Sequence, residues 1–411
     1  DGTQGEAVNL SVRDKLTIAH KLDEFGIDII EGGWPGSNPR DEEFFKMVKN
    51  SSLRHARMCA FGSTARPKFK VAEDTNLNAL LAAETPYVSI FGKTWQYHAH
   101  VGLGISDAEN EELIFESVRY LTEHGRKVIF DAEHFFDGYR DNSPFALKMI
   151  AAAQSGGAVN ITLCDTNGGS LPHQIQKAME AVKKIITLPL GAHVHNDGGL
   201  AVANTLTAVE CGATHVQGTI NGVGERCGNA DLVAIIPNLL LKMNCSTKGN
   251  VKLEHLTSLS NYVYEVMNLV PNNRAPFVGK SAFAHKGGIH VSAVLKDSKM
   301  YEHIVPGVVG NSQRVLVSDL SGQSNIKYKA AELGISVEGD LDFNKRIVSH
   351  IKTLEHEGYQ FDGAEASFEL ILREERNEFK PFFKTLDSKI SVVFDNEKHN
   401  KIDAVLKIEV D

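Results

Sequence analysis

Two histidines stand two residues apart at His193 and His195, between an apolar run and an Asn-Asp-Gly-Gly turn. In an extended strand, residues i and i+2 point to the same face, so both imidazoles can face one point. A helix-like run, residues 201–211, follows the turn. Proteins of the α/β class place metals and catalytic groups at the carboxyl end of a strand in such a strand–turn–helix unit. Taken alone, the pair fits a packed or hydrogen-bonded role equally well.

Composition limits the classes of function. The chain has 411 residues, enough for two or more domains, and its net charge of −9 shows no basic stripe that would favour nucleic acid. Its apolar runs fall short of the ~20 residues that a membrane helix needs. Five scattered cysteines lack metal-type spacing and are typical of reduced, structural thiols, which favours a cytoplasmic location. Because the chain starts at Asp1, we expect a preceding segment, so targeting is not judged.

Up to about residue 245, short β-rich runs alternate with amphipathic helical runs. The predicted strands are 26–30, 56–61, 87–91, 127–131, 159–164, 188–195 and 215–220. The predicted helices are 12–25, 107–124, 144–153, 171–185, 201–211 and 230–243. Seven strand–helix repeats after an initial helix predict an α/β fold, a (β/α)8 TIM barrel whose first strand lies largely before residue 1. A doubly wound sheet would alternate similarly, but Gly-x-Gly-x-x-Gly is missing after the first strands.

The pattern changes after residue 245, and we predict three domains. The catalytic barrel covers residues 1–245. A helical subdomain covers residues 246–355, with helices at 253–270, 291–296, 324–333 and 344–355. Residues 356–411 alternate like strands at 366–373, 391–394 and 404–410, which predicts the start of an incomplete, β-rich domain of the regulatory α/β type.

In a barrel, the carboxyl ends of the strands supply one pocket. Asp1 would end the first strand and join His193 and His195 in a two-His, one-carboxylate set that suits a divalent cation. Asn229 lies in a Gly-rich turn after the last strand, together with Glu225. Asn229 is either a fourth oxygen ligand, a group that orients the histidines, or the N-cap of the following helix.

Three more strand ends carry polar residues. Glu133 is an acid–base candidate, although such a group is often only solvated surface. Glu31 precedes Gly-Gly-Trp-Pro-Gly, which suits a small-molecule pocket or a structural turn. Thr166 could hydrogen-bond a substrate carboxylate or close a Thr turn. Each has an ordinary explanation alone, but polar residues at most strand ends together favour a metal site.

Four motifs then resemble one known family. Asp1-Gly-x-Gln4, Asp165-Thr166, His-x-His-Asn-Asp at 193–197 and Gly-Glu-Arg-x-Gly-Asn at 224–229 resemble the α-isopropylmalate, homocitrate and citramalate synthases. These are divalent-metal (β/α)8 enzymes that condense acetyl-CoA with a 2-oxo acid, and the resemblance spans essentially the whole chain. Residues 31–38, 132–139, 284–290 and 315–324 look most like the citramalate branch, which uses pyruvate.

The resemblance implies roles for individual residues. It makes Asp1, His193 and His195 metal ligands, with Asn229 a weaker one. Mg²⁺ or Mn²⁺ is expected, and Zn²⁺ is allowed. The implied substrate-binding residues are Gln4, Glu31 and Thr166. The implied catalytic residues are Glu133, Glu225, His290 and Tyr301, with His290 as the general base and Glu225 as its partner. His290 could equally be an ordinary histidine in a Gly-rich turn.

The resemblance also implies partners. His290 and Tyr301 would be presented to the barrel of a partner subunit, which implies a homodimer with shared active sites. The β-rich tail would be the start of a domain that senses isoleucine or leucine. The expected substrates are acetyl-CoA and pyruvate, with CoA released after thioester hydrolysis in isoleucine biosynthesis.

Three alternatives stay open. A 2-isopropylmalate synthase, acting on 2-oxoisovalerate in leucine biosynthesis, would differ mainly in pocket width at the second to fourth barrel strands. A lyase would run a carbon–carbon cleavage on an acyl-CoA but would not need the C-terminal extension. A catalytically idle, effector-binding scaffold would be free to lose the metal ligands, which this chain retains.

Overall fold

The computed structural model describes residues 1–337, 340–394 and 400–410. The chain divides into two compact units. The first contains Asp1–Phe283 and Ile304–Ser312, and the second contains Ala284–His303 and Gln313–Asp411. The domain boundaries near residues 245 and 355 stay predictions.

A sheet of seven parallel strands lies at the centre of the first unit, and its strands follow one another in chain order. They are β1 Ile29–Glu31, β2 Arg57–Ser63, β3 Tyr87–Lys93, β4 Lys127–Glu133, β5 Asn160–Asp165, β6 Leu190–Val194 and β7 His215–Gln217. Parallel neighbours in chain order, joined by helices, define the TIM-barrel type of fold. The predicted fold class is therefore confirmed, with each predicted strand overlapping an observed one.

Ten α-helices belong to this unit in the described residues. They are α1 Val12–Phe25, α2 Pro39–Lys49, α3 Thr75–Ala82, α4 Asp107–Glu123, α5 Phe135–Asp141, α6 Ser143–Ser155, α7 Pro172–Val182, α8 Ala201–Glu210, α9 Leu232–Leu241 and α10 Leu256–Val266. Helix α1 has the predicted bounds because Ser11 and Asp14 form a capping box at its start and Gly26, in the left-handed conformation, ends it. The sequence analysis missed α2, α3 and α5, which have 11, 8 and 7 residues.

Side chains alternate between the two faces of the sheet. On one face, apolar residues such as Ala60, Ile90, Phe130 and Leu163 are fully buried in the core beneath the helices. The strand register places Glu133 beside Lys93 and His193 beside Gln217 on the other face. We call this second, polar side the inner face of the sheet.

The second unit combines helices with two small sheets. Its elements are β8 Ala284–His285, α11 Gly288–Val294, β9 Arg314–Val315, α12 Gln323–Glu332, α13 Leu341–His356, α14 Glu365–Glu375, β10 Lys384–Phe394 and β11 Asn400–Glu409. Strands β10 and β11 form an antiparallel hairpin, which contains the predicted strand at 391–394 and most of that at 404–410.

The strand predicted at residues 366–373 is wrong, because this segment is helix α14. Its apolar positions Phe368, Ile371 and Leu372 follow helical spacing and are buried against Ile347 and Ile351 of α13. Alternation over a few residues had concealed that period. The predicted helix at 253–270 is also shorter, since a 3₁₀ turn precedes α10. Within the described ranges, no helix is both long and apolar enough to cross a membrane.

Candidate metal centre

Three predicted ligands converge at the end of β6. The Asp1 Oδ2 atom lies 2.8 Å from His193 Nε2 and 3.9 Å from His195 Nε2, and the two Nε2 atoms are 3.3 Å apart. Among the described residues, Asp1, His193 and His195 form the group of at least three His, Cys, Asp or Glu side chains in which all of the possible ligand atoms lie within 4.8 Å of one another. Two imidazole nitrogens and a carboxylate oxygen that share one point fit a divalent cation.

His195 is suited to act as a ligand because it is neutral. Its side chain is 6% exposed, and burial, assisted by His193 and Arg226, lowers its pKa to about 3. A neutral imidazole keeps a nitrogen lone pair for a metal at physiological pH. The Nδ1 atom of His195 is buried without a hydrogen-bond partner, so its imidazole is not committed elsewhere.

Asn229 lies directly opposite His195 in an antiparallel bridge. The Ala230 amide donates to the Val194 carbonyl at 2.8 Å, which holds this pairing. Asn229 is 2% exposed, and its Oδ1 is a buried acceptor without a partner. Helix α9 is capped by Asp231 rather than by Asn229, so the N-cap explanation for Asn229 is wrong. A buried, free amide oxygen beside a candidate ligand is compatible with a fourth oxygen donor.

Glu133 is held by two elements at the tip of β4. The strand register places it next to Lys93, and the two side chains form an ion pair with about one-fifth of each exposed. The Thr94 hydroxyl donates to the Glu133 carbonyl at 2.7 Å. The sequence analysis missed Lys93, although a lysine ending an apolar strand was a usable signal. A fixed carboxylate on the inner face can contact a substrate or water there.

Thr166 joins neighbouring strand ends. Its hydroxyl accepts a hydrogen bond from the His134 amide at 2.9 Å, and its carbonyl accepts one from Arg226 at 2.7 Å. Arg226 in turn donates to both carboxylate oxygens of Asp197, at 2.8 and 2.9 Å. These contacts fix the loops after β5, β6 and β7 around the candidate metal centre.

The remaining predicted residues are less constrained. Gln4 and Glu31 are exposed, and the Gln4 amide donates to the Asp1 carbonyl at 2.9 Å. The Glu225 side chain is 59% exposed and lies 3.7 Å from Arg226 Nη1. His290 and Tyr301 meet in the second unit, with ring centroids 4.3 Å apart, and both are exposed. The roles of these residues stay predictions.

An aromatic cluster lies at the ends of β1, β2 and β3. Phe61 and Phe91 stack with centroids 5.6 Å apart, and Trp34 meets them edge-on at 5.8 and 5.7 Å. Phe61 and Phe91 are half-buried. Their side chains point to the same side of the sheet as Lys93, which is the inner face. We call Trp34, Phe61 and Phe91 the aromatic wall; it gives the inner face an apolar side.

Comparison with protein families identifies the class. Residues 1–263 match the family described as HMGL-like, and residues 277–358 match the domain described as homocitrate synthase post-HMGL domain-like. The chain belongs to the HMGL-like family, and the predicted relationship with the acetyl-CoA-condensing synthases is confirmed.

Individual relatives narrow the branch. The chain is 51% identical to an (R)-citramalate synthase from Geobacter sulfurreducens, over 97% of this chain and 75% of the relative. It is 50% identical to one from Synechocystis, over 93% and 72%. It is 35% identical to a probable 2-isopropylmalate synthase from Methanopyrus kandleri, over 87% and 68%.

A solved structure supports the fold alone. The HMG-CoA lyase of Bacillus subtilis superimposes with a TM-score of 0.56 at 22% identity, over 66% of this chain and 92% of the lyase. At this identity, the likeness establishes a shared TIM-barrel architecture and leaves the reaction to the site and to the closer relatives.

Proposed function

We propose that the chain is an (R)-citramalate synthase, which condenses acetyl-CoA with pyruvate, hydrolyses the thioester and releases CoA. The observation that carries the proposal is that the cluster of Asp1, His193 and His195 shares the inner face with Glu133 and with the aromatic wall. The choice of pyruvate rests on the citramalate synthases at 51% and 50% identity, since the isopropylmalate relative is more distant at 35%.

The ligand set supports a divalent cation. Asp1, His193 and His195, with Asn229 as a further oxygen donor, would hold it. When bound, such an ion polarises a carbonyl oxygen as a Lewis acid. Oxygen and imidazole donors without thiolate favour Mg²⁺ or Mn²⁺ and allow Zn²⁺.

The residues of the chain supply the proton transfers. Removal of a proton from the acetyl methyl group requires a base, and we propose His290 for this step, with Glu225 as its partner. The Tyr301 hydroxyl lies on the ring that packs against His290 and can donate or accept a proton. On the inner face, Glu133 would contact the oxo acid, and its position is set by Lys93. Gln4, Glu31 and Thr166 would complete the oxo-acid site.

Assembly and regulation form a further part of the proposal. The exposed His290 and Tyr301, with Ile289 82% exposed beside them, support a homodimer in which each copy serves its partner's site. We also propose a cytoplasmic location, consistent with five free cysteines, a role in isoleucine biosynthesis and isoleucine or leucine as effector.

Subunit mixing tests the shared site. His193→Ala and His290→Ala chains, each inactive alone, are co-expressed in equal amounts. Random pairing makes half of the dimers mixed, each with one intact site, so activity near one quarter of the wild-type value is expected. Activity that stays at the level of the single variants would contradict sharing.

The reaction is tested by CoA release from acetyl-CoA with Mg²⁺ or Mn²⁺, comparing pyruvate, 2-oxobutyrate, 2-oxoisovalerate and 2-oxoglutarate. Pyruvate should be strongly preferred, and both a chelator and His193→Ala should abolish release. His173→Ala, an exposed histidine of α7, is the matched control and should be active. Preference for 2-oxoisovalerate would move the chain to the isopropylmalate branch. Absence of release with every oxo acid would favour the lyase or the scaffold.

A further inference from the structure

The side chain of Gln217 is hydrogen-bonded at both ends of its amide. Its Oε1 atom lies 2.7 Å from His193 Nδ1, on the side of the ring opposite the candidate metal centre. Its Nε2 atom lies 2.9 Å from Asp131 Oδ1 and 3.5 Å from His215 Nε2. The side chains of Gln217, His193, Asp131 and His215 all lie on the inner face. Gln217 pairs directly with His193 across β6 and β7.

The surroundings fix the direction of this amide. Asp131 is 4% exposed, its Oδ2 accepts from the Ser89 hydroxyl, and its Oδ1 faces the amide nitrogen of Gln217. Burial, followed by the charge of His193, lowers the pKa of His215 to about 4, so His215 is neutral and can accept as well. A flipped amide would turn its carbonyl oxygen toward both acceptors and leave buried groups unpaired, which is unfavourable.

We infer that Gln217 is a positioning residue that holds His193 in the tautomer able to bind a metal. Because the Gln217 Oε1 can only accept, it holds a proton on the Nδ1 atom of the His193 ring. The lone pair then lies on Nε2, the atom that points to Asp1 and His195. Asp131 acts through Gln217, as carboxylates behind ligating histidines do in metalloproteins. The inference rests on the metal site proposed above and adds the residues that prepare it.

Metal binding tests the inference without the reaction. Free Mn²⁺ is followed by electron paramagnetic resonance during titration of the full chain. Gln217→Met keeps the length of the side chain but removes the acceptor, and it should bind Mn²⁺ about 10- to 100-fold more weakly than the wild type. Ser89→Ala is the matched control, because it removes the hydrogen bond from Ser89 to Asp131 without altering the amide. Its affinity should stay within about threefold of the wild type.

An exchange of functional groups tests the direction of the relay. In the double variant Asp131→Asn, Gln217→Glu, total charge is unchanged. The carboxylate introduced at position 217 now accepts from both His193 and the amide introduced at position 131. Mn²⁺ affinity within about threefold of the wild type is expected.

Wild-type affinity in Gln217→Met would overturn the inference, and so would a tenfold loss in the folded double variant. The double variant decides alone if Gln217→Met does not fold. A wild-type chain that fails to bind Mn²⁺ would refute the metal site itself, and this inference with it.

Discussion

Truncation of the aromatic wall should change substrate selectivity by a calculable amount. Phe61→Ala is the informative substitution. Phe91 also packs beneath Lys93, whose Nζ lies 5.2 Å from the ring centroid, so truncation of Phe91 would change both the aromatic wall and the position of Lys93. Removal of the half-buried Phe61 ring opens space beside Phe91 and Trp34 for a longer oxo acid.

The magnitude follows from the carbon count. 2-Oxoisovalerate carries two more carbons than pyruvate, and burial of each stabilises a bound state by about 0.8 kcal/mol. Together they are worth about 1.6 kcal/mol, or about 15-fold in the ratio of kcat/KM for 2-oxoisovalerate over pyruvate. The ratio should rise by that factor in Phe61→Ala.

The assay is CoA release with each oxo acid in turn, measured over a range of oxo-acid concentrations. Phe69→Ala is the matched control, because Phe69 is 52% exposed and packs against Arg66 instead of the wall. Its ratio should equal that of the wild type. An equal fall in kcat/KM for both oxo acids in Phe61→Ala would refute the assignment of the wall to substrate selection.

Three further predictions concern the inner face. Lys93→Met should lower kcat roughly 100-fold with KM for pyruvate little changed, because Glu133 loses the cation that positions it. Lys93→Arg should retain more activity than Lys93→Met. Steady-state kinetics that show wild-type kcat in Lys93→Met would contradict this prediction. Asn229→Ala should weaken Mn²⁺ binding roughly tenfold, whereas Asn229→Asp should retain it, and equal affinities in the titration would exclude Asn229 as a ligand. Because the pKa of His215 is about 4 when folded and 6.5 when free, the unfolded chain binds an additional proton between these values, so stability falls as pH falls. Urea unfolding of the metal-free chain should show the wild type losing up to about 1.4 kcal/mol of stability per pH unit between pH 6.5 and about 4, relative to His215→Gln. Parallel pH profiles for the two chains would contradict a buried neutral His215.

Elements with a clear period were predictable from the sequence. Helix α1 has its predicted bounds because its apolar spacing and both of its capping signals agree. The seven strands were found because each is a β-rich run bounded by polar or small residues. The segment at 366–373 was misassigned because strand-like alternation and helical spacing coincide over so few residues.

The candidate ligands were predictable from the sequence, but the contacts that Lys93 and Gln217 make with Glu133 and His193 were not. His193 and His195 are two residues apart, so the chain itself shows that they share a face. Lys93 and Gln217 meet Glu133 and His193 only through the register of neighbouring strands, and register is set by the packing of the whole sheet. No spacing along the chain records those contacts, and so both residues were missed.

The order of the strands in the sheet bears on how this fold can diversify. The aromatic wall is carried by β1, β2 and β3, whereas His193, His195 and the Gln217 relay belong to β6 and β7. Each strand and its loop form a separate segment of the chain, so a change in the first group need not alter the second. A new oxo-acid preference could therefore arise by changes in three of the seven strands while the candidate metal centre is inherited intact. Laboratory evolution of substrate range can accordingly begin with libraries in residues 29–93, which carry the aromatic wall.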